Sequence, residues 1–340
     1  MRPHFARTIV VCFVLALLTA GLVACGEESS SSSELTVYSG REAEYIETLV
    51  DRYNARYDTD AKVRYGDTSE LAATILEEGE NSPADLFFSQ DAGALGSLQK
   101  EGLLQELPSD VLGEVEPRYR SPEGRWVGTS GRARAVAYNK DRVGRDELPA
   151  SILGFTGERW KGQLGWAPTN GSFQSFVTGL RQLKGDDVAR EWLKGMVAND
   201  PQSFESNSAI RDAIAKQEID VGLINHYYVA EALAEEGSDY PVGLYFPPVG
   251  DPGSLVNVAG IGILESSDKR DEALRFTRFM LSKEAQEHFA KNVKEYPVAA
   301  GVEADRLVVP LSRIEPPRID LSNLDDLRGT LKMIEESGAL

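Results

Sequence analysis

Residues 220–228 read Asp220-Val-Gly-Leu-Ile-Asn-His-Tyr-Tyr228, an apolar run that closes on two consecutive tyrosines. A phenolate oxygen is a hard, strongly donating ligand. A hard trivalent cation such as Fe(III) displaces the proton of a tyrosine, whose ordinary pKa is about 10. Two adjacent phenols at the C-terminal end of a strand, where α/β sheets place their ligand crevice, form a candidate claw for such a cation. Tyrosine pairs also occur as plain core or interface packing, so the pair needs support from the rest of the chain.

Other chemistries find little material. There is no His-Glu-x-x-His zinc helix, no Gly-x-Ser-x-Gly nucleophile elbow and no Gly-x-x-x-x-Gly-Lys-Ser/Thr phosphate loop. Beyond the N-terminal segment only His226 and His288 remain, so Cys/His nucleophile schemes lack their residues. The 54 acids always offer a carboxylate pair of the glycosidase kind. Stoichiometric uptake without turnover separates a binding protein from such an enzyme, and the expectation is that this is no enzyme.

Residues 1–24 have the form of a secretory signal: Arg2 and Arg7, an apolar run over 9–18, then small residues. The segment closes on Leu22-Val23-Ala24-Cys25, which looks like a bacterial lipobox, with Cys25 the lipidated first residue of the mature chain. The Ser-rich stretch 25–34 reads as a tether, and the chain is expected to sit lipid-anchored on the outer face of the cytoplasmic membrane. Cys12 is the only other cysteine, so no disulfide is expected. The net charge of −18 becomes two charges more negative once Arg2 and Arg7 are removed. That argues against nucleic acid and against a polybasic membrane patch, leaving membrane contact to the anchor alone.

The elements that must position the tyrosines alternate. Strands are expected at 35–38, 62–65 and 84–88. Between and after them come a helix with the stripe Ile46, Leu49, Val50, Tyr53, a helix carrying Leu71 and Ile75, and a helix over 92–100. The βαβαβ order implies a parallel sheet. The pattern restarts near residue 130, with strands at 133–138, 163–166 and 219–224. Its helices carry Phe173, Phe176, Val177, Leu180, Leu183 and then Val188, Trp192, Met196. A long strand over 256–264 returns to the first half, followed by a helix over 269–281. In the tail, Ser322 and Asp325 read as a capping box for a helix bearing Leu324, Leu327, Leu331 and Ile334. Two α/β lobes follow, residues 35–133 with about 258–308, and about 134–257 with 309–340. Such a chain is a monomer that closes on a ligand in the cleft between lobes.

Eight short pieces carry a family resemblance: Val37-Tyr-Ser-Gly-Arg41, Ser82-Pro-Ala-Asp-Leu-Phe-Phe88, Ser130-Gly-Arg-Ala-Arg134, Trp160-Lys-Gly162, Thr169-Asn-Gly-Ser-Phe173, Ile224-Asn-His-Tyr-Tyr228, Asp251-Pro-Gly253 and Glu295-Tyr-Pro297. In this order they resemble the ferric-ion-binding, bacterial transferrin-like branch of the periplasmic substrate-binding proteins that serve ABC importers. The likeness runs from Leu35 to Gly338 and implies the two-lobed, type II-like periplasmic-binding-protein fold with an interlobe ligand cleft.

The resemblance implies ferric iron held by Tyr227 and Tyr228, and delivery to an ABC permease. Well-known members have a ligating histidine where this chain has Glu42, which either ligates or simply opens the helix. Gln90 replaces a family glutamate and is expected to hydrogen-bond behind the ligands. Phe173 stands where another branch has a third tyrosine. Arg41 and Arg132, with Asn170, Gly171 and Ser172 at a helix start, stand where relatives hold a synergistic anion such as carbonate. Asn207 and Asn225 match polar cleft positions. His226 is expected to point away, and His288 to be solvated. Two alternatives stay open: an organic anion or iron chelate held by Arg41 and Arg132, or a surface interaction module with no small ligand.

Overall fold

The computed structural model describes residues 34–248 and 250–340, so the lipobox reading and Cys25 lie outside the described residues. Ten strands form one mixed sheet: β1 (Glu34–Ser39), β2 (Asp60–Tyr65), β3 (Leu86–Ser89), β4 (Val127–Asn139), β5 (Leu164–Trp166), β6 (Gln202–Ser203), β7 (Val221–Asn225), β8 (Val242–Tyr245), β9 (Val256–Ile263) and β10 (Tyr296–Pro297). Eleven α-helices accompany them among the described residues: α1 (Ala43–Tyr57), α2 (Thr68–Glu78), α3 (Ala92–Lys100), α4 (Ser109–Gly113), α5 (Gly171–Lys184), α6 (Asp186–Ala198), α7 (Asn207–Ala215), α8 (Tyr227–Glu236), α9 (Arg270–Leu281), α10 (Lys283–Lys291) and α11 (Leu327–Glu336). None is long and apolar enough to cross a membrane.

β1 pairs in parallel with β2 and β3, as the βαβαβ order demands, and β9 lies antiparallel between β3 and β4. The α1 stripe Ile46, Leu49, Val50 and Tyr53 is buried against this sheet. Polar residues fix where the helices start. Asp67, Asp91 and Asn170 accept backbone N–H groups at the first turns of α2, α3 and α5, which satisfies donors that have no partner inside a helix.

β4 joins the two halves. Its thirteen residues are all buried, but they change partner midway. Val127–Ala133 pairs with β9, and from Arg134 onward the strand pairs with β7 and then β8. The Arg134 N–H closes the switch by donating to the Leu255 carbonyl at 2.8 Å. Among the described residues three apolar clusters flank the switch, one under β1, β3 and β9, one around Phe173, Phe176, Trp166 and Trp192, and one around Ile210, Ile214, Ile224 and Val229.

The tail departs from its expected form. The structure has a 3-10 turn over Leu321–Asp325 and then α11, capped by Asp320 and Asp326 respectively and not by Ser322. Ser322 is occupied otherwise, because its Oγ accepts the buried Trp126 indole N–H at 3.2 Å. The buried α11 face is Thr330, Met333 and Ile334, while Leu331 is exposed. The 3-10 turn lies on α3, where Gly93 and Gly96 allow the backbones to touch. A Cβ on residue 96 would stand 2.1 Å from the Ser322 carbonyl oxygen. Gly96→Ala is therefore expected to lower stability in urea unfolding by about 1–3 kcal/mol. Gly113→Ala, whose Cβ meets nothing within 4 Å, should be close to neutral.

Candidate metal centre in the interlobe cleft

β7 stops at Asn225, and His226 turns the chain so that Tyr227 and Tyr228 open α8. The tyrosines thus occupy a helix first turn, where the dipole favours negative charge. Their rings stack with centroids 4.2 Å apart, and the Tyr227 hydroxyl donates to the Tyr228 hydroxyl at 2.8 Å. An octahedral cation with metal–oxygen bonds of about 2.0 Å spaces neighbouring oxygens about 2.8 Å apart, so the pair is already set for one small, hard ion. Burial holds the Tyr227 phenol well above its ordinary range, and a charge on Tyr228 would push it further. Tyr228 is also raised by burial, partly offset by the hydrogen bond it receives. With both raised, the two phenols are protonated at neutral pH.

His226 points away, as expected. Its ring stacks on Tyr296 with centroids 4.2 Å apart, and Nδ1 accepts the Ala133 N–H at 3.2 Å. Burial pulls it down to about 3, so it stays neutral. His288 differs from expectation: it is buried, with Nε2 3.0 Å from the Tyr45 carbonyl oxygen. Among the described residues no group of three His, Cys, Asp or Glu side chains could hold a metal.

Across the cleft, Glu42 precedes α1 with extended backbone and makes no side-chain cap. Burial, and then neighbouring Glu44, raise its pKa, with Arg41 opposing. Its charge is felt by Tyr228, which brings the first-half carboxylate to bear on the phenol pair. Tyr45, one helical turn on, lies with its ring under the Arg41 guanidinium at 5.0 Å and feels both Tyr228 and Glu42. The sequence reading did not single it out, although an i, i+3 spacing from Glu42 on one helix was visible.

The arginines are where the site differs most from a bare cleft. Arg41 is fully buried and forms a two-pronged pair with Glu295, both contacts at 3.0 Å, and also donates to Gln90 Oε1. Arg132 donates to the Gln90 carbonyl oxygen, and its Nε lies 3.9 Å from Glu295. Glu295 is itself fully buried and accepts the Ser130 hydroxyl at 2.5 Å. Gln90, on the cleft wall, therefore accepts from Arg41 through its side chain and from Arg132 through its backbone. Glu295 went unassigned in the sequence reading, although the Glu-Tyr-Pro piece contained it.

Asn170, Gly171 and Ser172 stand at the first turn of α5. Asn170 Oδ1 accepts from the Ser172 N–H and hydroxyl and from Asn207 Nδ2. Asn207 Oδ1 in turn accepts the Asn225 N–H at 3.1 Å, tying α7 to the end of β7. One cleft of about 1060 Å³ brings Arg41, Glu42, Gln90 and Arg132 together with the α5 start, Asn225, Tyr227 and Tyr228. Asn207 sits behind its wall.

Two stability tests follow from these charges. Glu295→Gln leaves Arg41 and Arg132 without their shared counter-charge and is expected to cost about 3–5 kcal/mol in urea unfolding. Glu231, on α8, is pushed up to about 7 mainly by burial, against an ordinary 4.5. A raised carboxyl pKa means the folded state holds its proton longer than the unfolded chain. Stability contributed by that proton is present below the ordinary value and is lost as pH rises through the window between the two. Glu231→Gln should therefore raise the melting temperature at about pH 8 and change it little at about pH 4.

The comparisons with known proteins cover most of the chain. Residues 81–312 match the family described as bacterial extracellular solute-binding protein. The major ferric iron-binding protein of Neisseria meningitidis serogroup B is 32% identical, covering 95% of this chain and 97% of its own length. Iron-bound HitA from Pseudomonas aeruginosa superposes with a TM-score of 0.83 at 32% identity, covering 90% of this chain and 99% of its own. The Trichodesmium protein IdiA (FutA), solved with iron and citrate ligands, gives 0.78 at 30% identity, covering 90% of this chain and 99% of its own. The chain belongs to the bacterial extracellular solute-binding proteins.

Proposed function

We propose that this protein is the substrate-binding component of an ABC importer that captures ferric iron. The observation that carries the reading is the stacked phenol pair, with oxygens 2.8 Å apart in a cleft faced by a carboxylate. Two phenolates and Glu42 supply three negative charges, which match Fe(III). A small anion such as carbonate fills coordination positions that protein oxygens leave open. The partner change in β4 supports a lobe of residues 35–133 with about 258–308 and a second of about 134–257 with 309–340. Iron and its anion would bridge the two, and closure would form the surface the permease recognises. Lipid attachment at Cys25 would hold a monomer at the outer face of the membrane. The role is capture and release, with no turnover. Reduction to Fe(II), which binds phenolate less well, or protonation would favour release.

A second reading is an iron chelate with its organic body in the cleft. The cleft's volume of about 1060 Å³ far exceeds what one cation needs, which favours keeping it in view. Competition for iron against free citrate tests the first reading. Tyr227→Phe and Tyr228→Phe are each expected to weaken ferric affinity by at least about a hundredfold, beyond the 10–100-fold typical of groups behind the ligands. An unchanged affinity in the double variant would sink it. Because both phenols must shed protons, apparent affinity should also fall by about a hundredfold for each pH unit lost, measured with a competitor whose own protonation is corrected for.

A further inference from the structure

Among the described residues only five large apolar side chains are exposed: Tyr57, Tyr65, Leu76, Leu331 and Leu340. Three of the five, Tyr65, Leu76 and Leu331, line the cleft that holds the phenol pair. Single exposed leucines are ordinary on a protein surface, but in a chain of net charge −18 their gathering in one cleft marks a contact surface. The three come from both halves. Thr68 opens α2 beside the metal centre, because its Oγ1 donates to the Gly40 carbonyl oxygen at 3.4 Å and accepts the Gln90 N–H at 3.2 Å. From there Ser69, Ala72, Ala73 and Leu76 follow one face of the helix along the cleft. Leu76 stands about two turns beyond Thr68, roughly 12 Å along the axis.

The other wall is built to a similar depth. α5 starts in the cleft at Gly171, and about two turns on, roughly 10 Å, the buried Thr178 hydroxyl meets that of Thr330 on α11 at 2.7 Å. Leu331, next to Thr330, turns out of that contact and into the cleft. Tyr65, the last residue of β2, completes the rim. The cleft therefore runs from a polar end at the phenols to an apolar rim, and a cation with a small anion leaves most of its 1060 Å³ empty. We propose that this rim receives the carbon body of a ferric chelate, so that the cargo is iron carrying an oxygen chelator with an alkyl or aryl group. The inference rests on the ferric reading of the phenols and specifies the chelate. Chelator oxygens take the coordination positions that protein oxygens leave open, and the body lies along α2 and α11 over Leu76 and Leu331. Each methylene removed from water there strengthens binding by about fourfold, whereas a wholly polar chelator gains nothing from the rim.

Equilibrium dialysis of iron-stripped protein against ferric iron with acetohydroxamate or octanohydroxamate tests this, because the two share donor atoms and differ only in the alkyl chain. Octanohydroxamate should be retained together with iron, at least about tenfold more tightly than acetohydroxamate. Leu76→Ser combined with Leu331→Ser, both exposed positions that the fold does not depend on, should reduce that preference to less than about threefold. Equal affinity of the two hydroxamates for the wild type overturns the proposal, as does octanohydroxamate binding that is equally tight without iron. A loss of the same size for both hydroxamates in the leucine variant also overturns it, and assigns the leucines to contact between the two walls. Failure of the ferric reading looks different: iron uptake with either hydroxamate is then insensitive to Tyr227→Phe and Tyr228→Phe.

Discussion

The carboxylate of Glu295 sets the electrostatics of the cleft. It meets Arg41 with two 3.0 Å contacts, stands near Arg132 and accepts the Ser130 hydroxyl, all in the protein interior. An ion pair this deep is weak evidence of extra stability, because desolvation offsets most of the attraction. What it does is fix position. Arg41 leads into α1 and Glu42, Ser130 and Arg132 lie on β4, and Glu295 directly precedes β10, so one carboxylate holds three separate segments in register. It also offsets the cationic charge of Arg41 and Arg132 beside the cleft.

On the other side of the partner switch, the β7–α8 junction does the complementary work. Ending the strand at Asn225 puts His226 into the interior against Tyr296 and aims the next two side chains into the cleft. A hydrogen bond fixes the spacing of the phenol oxygens, and burial favours their neutral form. Under the ferric reading proposed above, the arrangement would select by charge, since a divalent ion gains less from two phenolates and must displace the same two raised protons. Each half would then supply part of a coordination sphere. β4 and β9 pair directly in the sheet.

Much of this was legible in the sequence because it is local. Helical stripes such as Ile46, Leu49, Val50 and Tyr53, and the helix start at Asn170, depend on neighbours a few residues away. The Tyr227-Tyr228 pair is legible for the same reason. What escaped depends on distant contacts. Glu295 lies 254 residues from Arg41, and no spacing rule connects them. His288 has the surroundings of a surface helix, but it is covered by the Tyr45 carbonyl from another element. Ser322 has the spacing of a helix cap, but Trp126, far away in the chain, takes its hydroxyl. The pairing of Arg41 and Arg132 with Glu295 escaped for the same reason, since which acids fold against a guanidinium is set by distant parts of the chain.

The central claim is that Tyr227 and Tyr228 ionise together onto one ferric ion. The most direct test is a visible absorption titration of iron-stripped mature protein with ferric citrate. A saturable blue-green band at one iron per chain, from phenolate-to-iron charge transfer, is the expected result. No band, with the protein folded and the same ferric citrate loading a control protein, would contradict it.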